Sequence, residues 1–336
     1  MANLAISAVC NRTCAYCFTV DHLSRGPQGY PRSVSPPFLE TNRFEERLAF
    51  LARSELHEVR LLGGEPTLHP AFVELVEQAR AAGQEITVFS NGLMPARALA
   101  YLASIPVDQC TVVINVNQPE EEDLHYHRQM QTIRRLGKRA MPGFTIYRPD
   151  FQAEFLVDLI AATGCSPVIR LGLAHPCLSG SNRYLHPNQY RGAAIKIVRL
   201  AEAAAQAGIL LDFDCGFVRC MFSDADLDIL RQAKAHIAWE CSPILDVDLE
   251  GNVIHCYPLA QFMSLPLTPT ATTMQLRDAF EIRTRPYRQA GVFPQCSACP
   301  FREAGECSGG CLAVTLRRFR HTPFQIEIPG SGRSKP

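Results

Sequence analysis

Six times in the first 208 residues a short apolar, β-branched run gives way to a helical pattern, and nothing else in the chain limits its fold as strongly. The runs cover 2–7, 58–62, 85–90, 111–116, 144–147 and 168–173; the helical patterns cover 40–54, 71–82, 95–104, 124–136, 151–163 and 187–207. Phe44, Leu48 and Leu51 stand at helical spacing in the first of these. Gly83, Gly137, Gly164 and Gly208 end helices as C-caps, Pro95 opens one, and Asn91-Gly92 is a turn. Strands that alternate with helices pair in parallel through right-handed crossovers. Eight such units close a (β/α) barrel, so six predict an open, partial (β/α)6, TIM-like barrel of the α/β class. Chemistry in such folds collects on the loops at the C-terminal ends of the strands.

After Gly208 the alternation stops and eight cysteines appear between Cys215 and Cys311. The expected domains are therefore a barrel over 1–208 and a small cysteine-rich α+β domain over 209–320. A polar tail over 321–336 is expected to be disordered. The stretch from Val20 to Leu39, rich in Pro and Gly, reads as a long loop without a core of its own.

With 33 Lys+Arg against 33 Asp+Glu, bulk charge predicts no nucleic-acid or membrane-surface partner. The basic run Arg317-Arg318-Phe319-Arg320 reads as a solvated helix face. No export signal precedes the cysteines, and no stretch reaches the ~18 to 20 apolar residues of a membrane helix. A cytoplasmic protein is expected, in which the clustered cysteines among the 14 serve as metal ligands rather than disulfides. Cys110 and Cys165 fit no cluster and read as small buried hydrophobes; Cys177, in the loop after the sixth strand, is also outside the clusters.

Cys10, Cys14 and Cys17 follow the first strand, where the fold rule puts chemistry. Three thiols suit a structural zinc poorly, because its tetrahedron closes on four protein ligands. An iron–sulfur cube has four irons, and three thiolates leave one open to a non-protein ligand. Gly63-Gly64-Glu65-Pro66 follows the second strand, and paired glycines there allow close backbone approach to a ligand.

The trio, in the form C-x3-C-x-aromatic-C with Tyr16 as the aromatic, together with this GGEP turn, resembles the radical SAM enzymes. The resemblance implies that Cys10, Cys14 and Cys17 hold a [4Fe–4S] cluster whose open iron binds the amino and carboxylate groups of S-adenosylmethionine. It implies that Gly63, Gly64, Glu65 and Pro66 form the turn that meets the amino group. Reductive cleavage of the bound S-adenosylmethionine to a 5′-deoxyadenosyl radical, which abstracts a substrate hydrogen, is the activity implied. Ser90, Asn91, Asn115, Asn117 and Arg170, at the ends of or within later strands, are further candidates for the cofactor pocket. His175 reads equally as a structural histidine and as a substrate contact.

The later cysteines run Cys215-x4-Cys220, Cys241, Cys256, then Cys296-x2-Cys299-x7-Cys307-x3-Cys311. They resemble the SPASM or twitch extension of radical SAM proteins, which holds one or two auxiliary [4Fe–4S] clusters. The resemblance implies a first cluster on Cys241, Cys256, Cys311 and either Cys215 or Cys220. It implies a second on Cys296, Cys299 and Cys307, with the remaining member of the pair or an open iron completing it. The spacing of the last four cysteines is also compatible with zinc.

By the same resemblance the substrate is a ribosomally made peptide that becomes crosslinked or oxidised, and the alternative is a small molecule such as a sugar or amino alcohol. A remote third reading is a non-catalytic iron–sulfur or zinc-binding protein. The sulfatase-maturing branch has an acidic base directly after the cysteine matching Cys256; here Tyr257 stands there, and it accepts a proton only if its pKa is well lowered. Tyr257 and Arg170 are the catalytic candidates. The partners expected are an electron donor such as flavodoxin or ferredoxin and, since only nine residues precede Cys10, a separate leader-peptide-binding protein.

Overall fold

The computed structural model describes residues 2–20, 36–117, 124–178 and 182–319. Within them β1 (Asn3–Ser7) leads to α1 (Thr41–Arg53), β2 (Glu58–Gly63) to α2 (Phe72–Ala81), and β3 (Glu85–Ser90) to α3 (Ala96–Ser104). β4 (Cys110–Asn115) leads to α4 (Leu124–Leu136), β5 (Ala140–Ile146) to α5 (Phe155–Thr163), and β6 (Val168–Leu173) to α6 (Tyr190–Gln206). These six strands pair in chain order and in parallel, which is the partial barrel the alternation predicts.

The alternation does not stop at Gly208. β7 (Leu210–Phe213) pairs in parallel with β6, and after α7 (Asp224–Gln232) a two-residue β8 (His236–Ile237) pairs in parallel with β7. Four residues interrupted by Asp212 are too short a run for a period of two to register. On the other side β9 (Asp246–Val247) pairs in parallel with β1 and begins an antiparallel meander through β10 (Asn252–Ile254) to β11 (Ser264–Pro266). The segment beyond residue 208 thus extends both edges of the sheet. Among the described residues no pairing joins β8 to β11, so the sheet is open.

Three helices complete the C-terminal part: α8 (Thr273–Arg288), α9 (Pro300–Glu303) and α10 (Leu312–Arg318). The basic run at the end of α10 is not simply a solvated face. Arg317 donates to the Cys177 carbonyl at 3.2 Å and Arg318 to that of Gly291 at 2.6 Å. The tail from 321 and residues 21–35 of the long loop lie outside the described residues. No helix among them is long and apolar enough to cross a membrane.

Side chains on successive strand positions separate into two sets. Val59, Leu61, Ile86, Val88, Val112, Ile114, Ile169 and Leu171 are buried among the apolar side chains that the helices contribute. Arg60, Phe89, Asn115, Thr145, Arg170 and Asp212 face the other way and stay partly accessible. The lumen of this partial barrel is polar, and its apolar core lies between sheet and helices. Leu61→Ala, which opens a void at a fully buried position, should cost roughly 2–5 kcal/mol in urea unfolding of the full chain.

Candidate active site

The turn after β2 is folded against the end of β1. Gly64 N–H donates to the Ser7 carbonyl and Glu65 N–H to that of Val9, both at 2.8 Å. Gly63 takes φ +153°, and a Cβ there would sit 2.1 Å from the Ser7 oxygen, so only glycine fits. Glu65 caps a short 3-10 turn, Pro66–Leu68, and is fully buried. Its carboxylate accepts from Thr67 Oγ1 at 2.6 Å, Thr67 N–H at 3.2 Å, Ser90 Oγ at 3.0 Å and Asn91 N–H at 2.8 Å. Burial still raises its pKa. The carboxylate is therefore occupied by the protein, and what this turn leaves accessible is the backbone of Gly63 and Gly64.

Asn91 links that carboxylate to the cysteine trio. Its Nδ2 donates to Asn11 Oδ1 at 2.8 Å and stands 3.8 Å from Cys10 Sγ, which also accepts from Arg12 N–H at 3.4 Å. Cys17 N–H donates to the Cys14 carbonyl at 3.0 Å, turning the loop back on itself. The Cys10 pKa is pushed up to about 12, first by burial and then by Glu65, Cys14 and Cys17 nearby.

Tyr16 belongs to a polar knot at the ends of β4 and β5. Its hydroxyl donates to Asn117 Oδ1 and accepts from Asn115 Nδ2, while Asn115 Oδ1 accepts from Thr145 Oγ1 at 3.1 Å. Its ring lies 4.9 Å from that of Tyr147, and burial holds its pKa well above 10. Gln129 of α4 ties the strand ends together by donating to the carbonyls of Asn91 and Asn115. Ser90, Asn91, Asn115, Asn117 and Tyr16 thus form one connected network around the trio. Arg170 sits apart from it, paired with Asp214 at 2.9 Å and stacked 5.0 Å over Phe89.

The later cysteines divide into two neighbourhoods. Cys241 donates to Cys311, whose thiol also accepts from the N–H groups of Ala313 and Val314 and has a lowered pKa. Burial, then the charges of Cys311, Cys241 and Cys215, push the Cys256 thiol well above its ordinary value. Cys220 is pushed up to about 11 by burial and by Cys296, Cys307 and Cys299. Cys215 therefore stands with Cys241, Cys256 and Cys311, and Cys220 with Cys296, Cys299 and Cys307. Among the described residues no three His, Cys, Asp or Glu side chains converge tightly enough to hold a single metal ion. Cys110 and Cys165 are buried away from both groups, whereas Cys177 Sγ donates to the carbonyl of Phe18 at 3.3 Å.

Tyr257 lies 5% exposed with its ring 6.3 Å from that of Phe18. Burial, then Asp246 and Asp248, raise its pKa well above 10, the opposite of what a proton acceptor needs. Beside it Asp246 accepts from Tyr257 N–H at 3.0 Å and from Asn3 Nδ2 at 2.7 Å, and burial pushes its carboxyl up to about 7. No sequence motif marks this acid, because its neighbours come from β1 and from beyond β10.

A family model described as the radical SAM superfamily matches residues 4–146, a span that holds both the trio and the GGEP turn. That part of the chain, residues 4–146, carries a radical SAM domain. The chain is 27% identical over 149 residues to the 7-carboxy-7-deazaguanine synthase of Rhodopirellula baltica, a match covering 44% of this chain and 52% of that one. It is 34% identical over 100 residues to the GTP 3′,8-cyclase of Pasteurella multocida, covering 29% and 27%. The chain thus spans about half or less of these curated relatives. Its fold is like that of Streptococcus suis SuiB bound to S-adenosylmethionine, with TM-score 0.63 and 14% identity, over 94% of this chain and 74% of SuiB. SuiB bound to its precursor peptide SuiA matches with TM-score 0.56 and 14% identity, over 82% and 63%.

The cofactors of this superfamily are a [4Fe–4S] cluster and S-adenosylmethionine, and two observations fit them. Crowded, desolvated thiols are costly to ionise, and a cationic centre among them removes that cost. The Gly63 backbone is held where no side chain fits, beside the accessible edge of the turn. Gly63→Ala must displace the Ser7 carbonyl and should lower thermal stability well beyond Gly83→Ala. Gly83 also has positive φ but nothing within 4 Å of an added Cβ, so it should lose only about 1–2 kcal/mol.

Proposed function

We propose that this is a radical SAM oxidoreductase that abstracts hydrogen from a peptide during ribosomal peptide maturation, giving a crosslink or an oxidised side chain. When bound, the cluster and S-adenosylmethionine would supply one-electron reduction and a hydrogen-abstracting radical. Cys10, Cys14 and Cys17 would hold the cluster, and the backbone of Gly63 and Gly64 would meet the amino group of S-adenosylmethionine. The Glu65 carboxylate would act from behind that turn, holding it to Ser90 and Asn91 rather than touching the ligand. Asn115, Asn117 and Tyr16 would line the cofactor pocket, and the Arg170–Asp214 pair would present charge to whatever enters the lumen.

The observation that carries the oxidative part of this reading is the division of the eight later cysteines into two sets of four. In this reading 1–208 is the initiating barrel and 209–320 a SPASM-type domain with two fully ligated auxiliary [4Fe–4S] clusters. Removing a hydrogen atom from a substrate leaves one further electron to be taken up in a net oxidation, and reducible centres on residues 215–311 would accept it. The raised pKa of Tyr257 weighs against it as the accompanying base.

The peptide substrate is supported at the level of fold: the likeness to SuiB takes in 94% of this chain, and 82% in the form solved with a precursor peptide. A small-molecule substrate is the second reading, favoured by the sequence relatives, a synthase named for a small-molecule product and a cyclase named for GTP. A cytoplasmic setting, a flavodoxin or ferredoxin as electron donor and a separate leader-binding chain complete the proposal.

Anaerobic reconstitution should give about 12 irons per chain, and the triple variant Cys10→Ala, Cys14→Ala, Cys17→Ala about 8. With reductant and S-adenosylmethionine the wild type should release 5′-deoxyadenosine and the triple variant none. A cluster-replete wild type that makes no 5′-deoxyadenosine would refute the radical reading. A short peptide encoded beside the gene should lose the mass of two hydrogens; 5′-deoxyadenosine formation with every such peptide unchanged, and a small metabolite consumed instead, would favour the second reading.

A further inference from the structure

His175, just beyond β6, is the buried group that the reading above leaves without a role. Its Nε2 lies 3.9 Å from Cys215 Sγ, within reach of an N–H···S hydrogen bond. Among the described residues its buried Nδ1 has no hydrogen-bond partner. In a neutral imidazole one nitrogen carries the proton and the other a lone pair. Placing the proton on Nε2 gives the sulfur a donor and leaves only a lone pair unmatched. Placing it on Nδ1 would orphan a buried N–H and aim a lone pair at a thiolate, and orphaned donors are the rarer and costlier case.

The chain is shaped to keep this ring in place. Gly216, directly after Cys215, has φ +99°, and a Cβ there would lie 2.2 Å from Cε1 and 2.8 Å from Nε2 of His175. The ring can lie against the 215–216 backbone only because residue 216 has no side chain. Behind it, the His175 carbonyl accepts from Asn182 Nδ2 at 2.8 Å, and the same amide reaches the Tyr16 carbonyl at 3.2 Å. Asn182 Oδ1 accepts from Cys177 N–H at 2.8 Å, and Arg183 N–H donates to the Ala15 carbonyl at 2.7 Å. Asn182 and Arg183 therefore tie the backbone of the N-terminal trio to the residue that faces Cys215.

We propose that His175 is a positioning residue for an iron–sulfur centre ligated by Cys215, donating an Nε2–H hydrogen bond to that sulfur and so raising the centre's reduction potential. Hydrogen bonds to ligand sulfurs are among the determinants of such potentials, because they stabilise the more negative, reduced state. The inference rests on the reading that Cys215, Cys241, Cys256 and Cys311 hold an auxiliary cluster. It adds that the contacts of Asn182 and Arg183 hold the backbone of the trio in fixed relation to His175.

The test is a potentiometric titration of the reconstituted full chain with dithionite and redox mediators, followed by electron paramagnetic resonance, with iron measured on each sample. The wild type should show more than one reducible signal; a single signal that responds to S-adenosylmethionine, with about four irons, would overturn the auxiliary-cluster reading itself. Given the additional signals, His175→Ala should move one of them to a more negative midpoint and leave the S-adenosylmethionine-responsive signal in place. His175→Gln, which keeps an N–H donor, should recover part of the shift. Unchanged midpoints in an iron-replete His175→Ala protein would overturn the proposal. If His175→Ala loses iron, retention by His175→Gln supports the donor role, whereas loss in both variants would overturn it.

Discussion

The carboxylate of Glu65 is the point on which the N-terminal half of the site depends. A fully buried carboxylate is expensive unless donors surround it. Here the donors come from its own turn and from the end of β3, so the cost of burial is met only when both strand ends are in register. Asn91 passes that register to Asn11 and Cys10, and its carbonyl is held in turn by Gln129 of α4. The trio loop, which has no secondary structure of its own, takes its shape from this chain of bonds. Conditions that protonate Glu65 would remove acceptor capacity where four donors converge.

This arrangement places polarity and apolar packing on opposite sides of the sheet. Helices seal the outer face with Val, Leu and Ile, so most of the hydrophobic stabilisation is independent of what fills the lumen. The inner face is then free to carry Arg60, Asn115, Thr145 and Arg170, residues that a packed eight-strand barrel interior would exclude. An open sheet with a wet lumen can admit a ligand of some size. The strands added after residue 208 border that opening on both sides, which brings the late cysteines close to the strand ends.

The six βα units were legible because each carries a long periodic signal with its own punctuation, such as the glycines after the helices and Pro95 before α3. The trio and the GGEP turn were legible as motifs, though not the fact that Glu65 faces inward. β7 to β11 were not, since strands of two to four residues have no period to read and are held by neighbours remote in sequence. Asp246 was hidden for the same reason. Burial raises its pKa while the hydrogen bonds from Asn3 and Tyr257 hold it down, and no local pattern in the chain encodes that surrounding.

Cys215 and Cys220 show the same limit most sharply. In sequence they are two thiols five residues apart, interchangeable as partners for either later group. In the fold Cys215 leaves the end of β7 facing His175, while Cys220 lies in a 3-10 turn, Arg219–Met221, on the exposed side. Gly216 makes the difference: its left-handed backbone, pressed on the imidazole, lets the chain reverse between the two cysteines. Cys220 then lies near Cys296, Cys299 and Cys307 and Cys215 near Cys241 and Cys256, and the sulfur that faces the barrel is the one with an imidazole beside it. The division of eight cysteines into two sets is thus a consequence of one turn after β7, not of the spacing of the cysteines themselves.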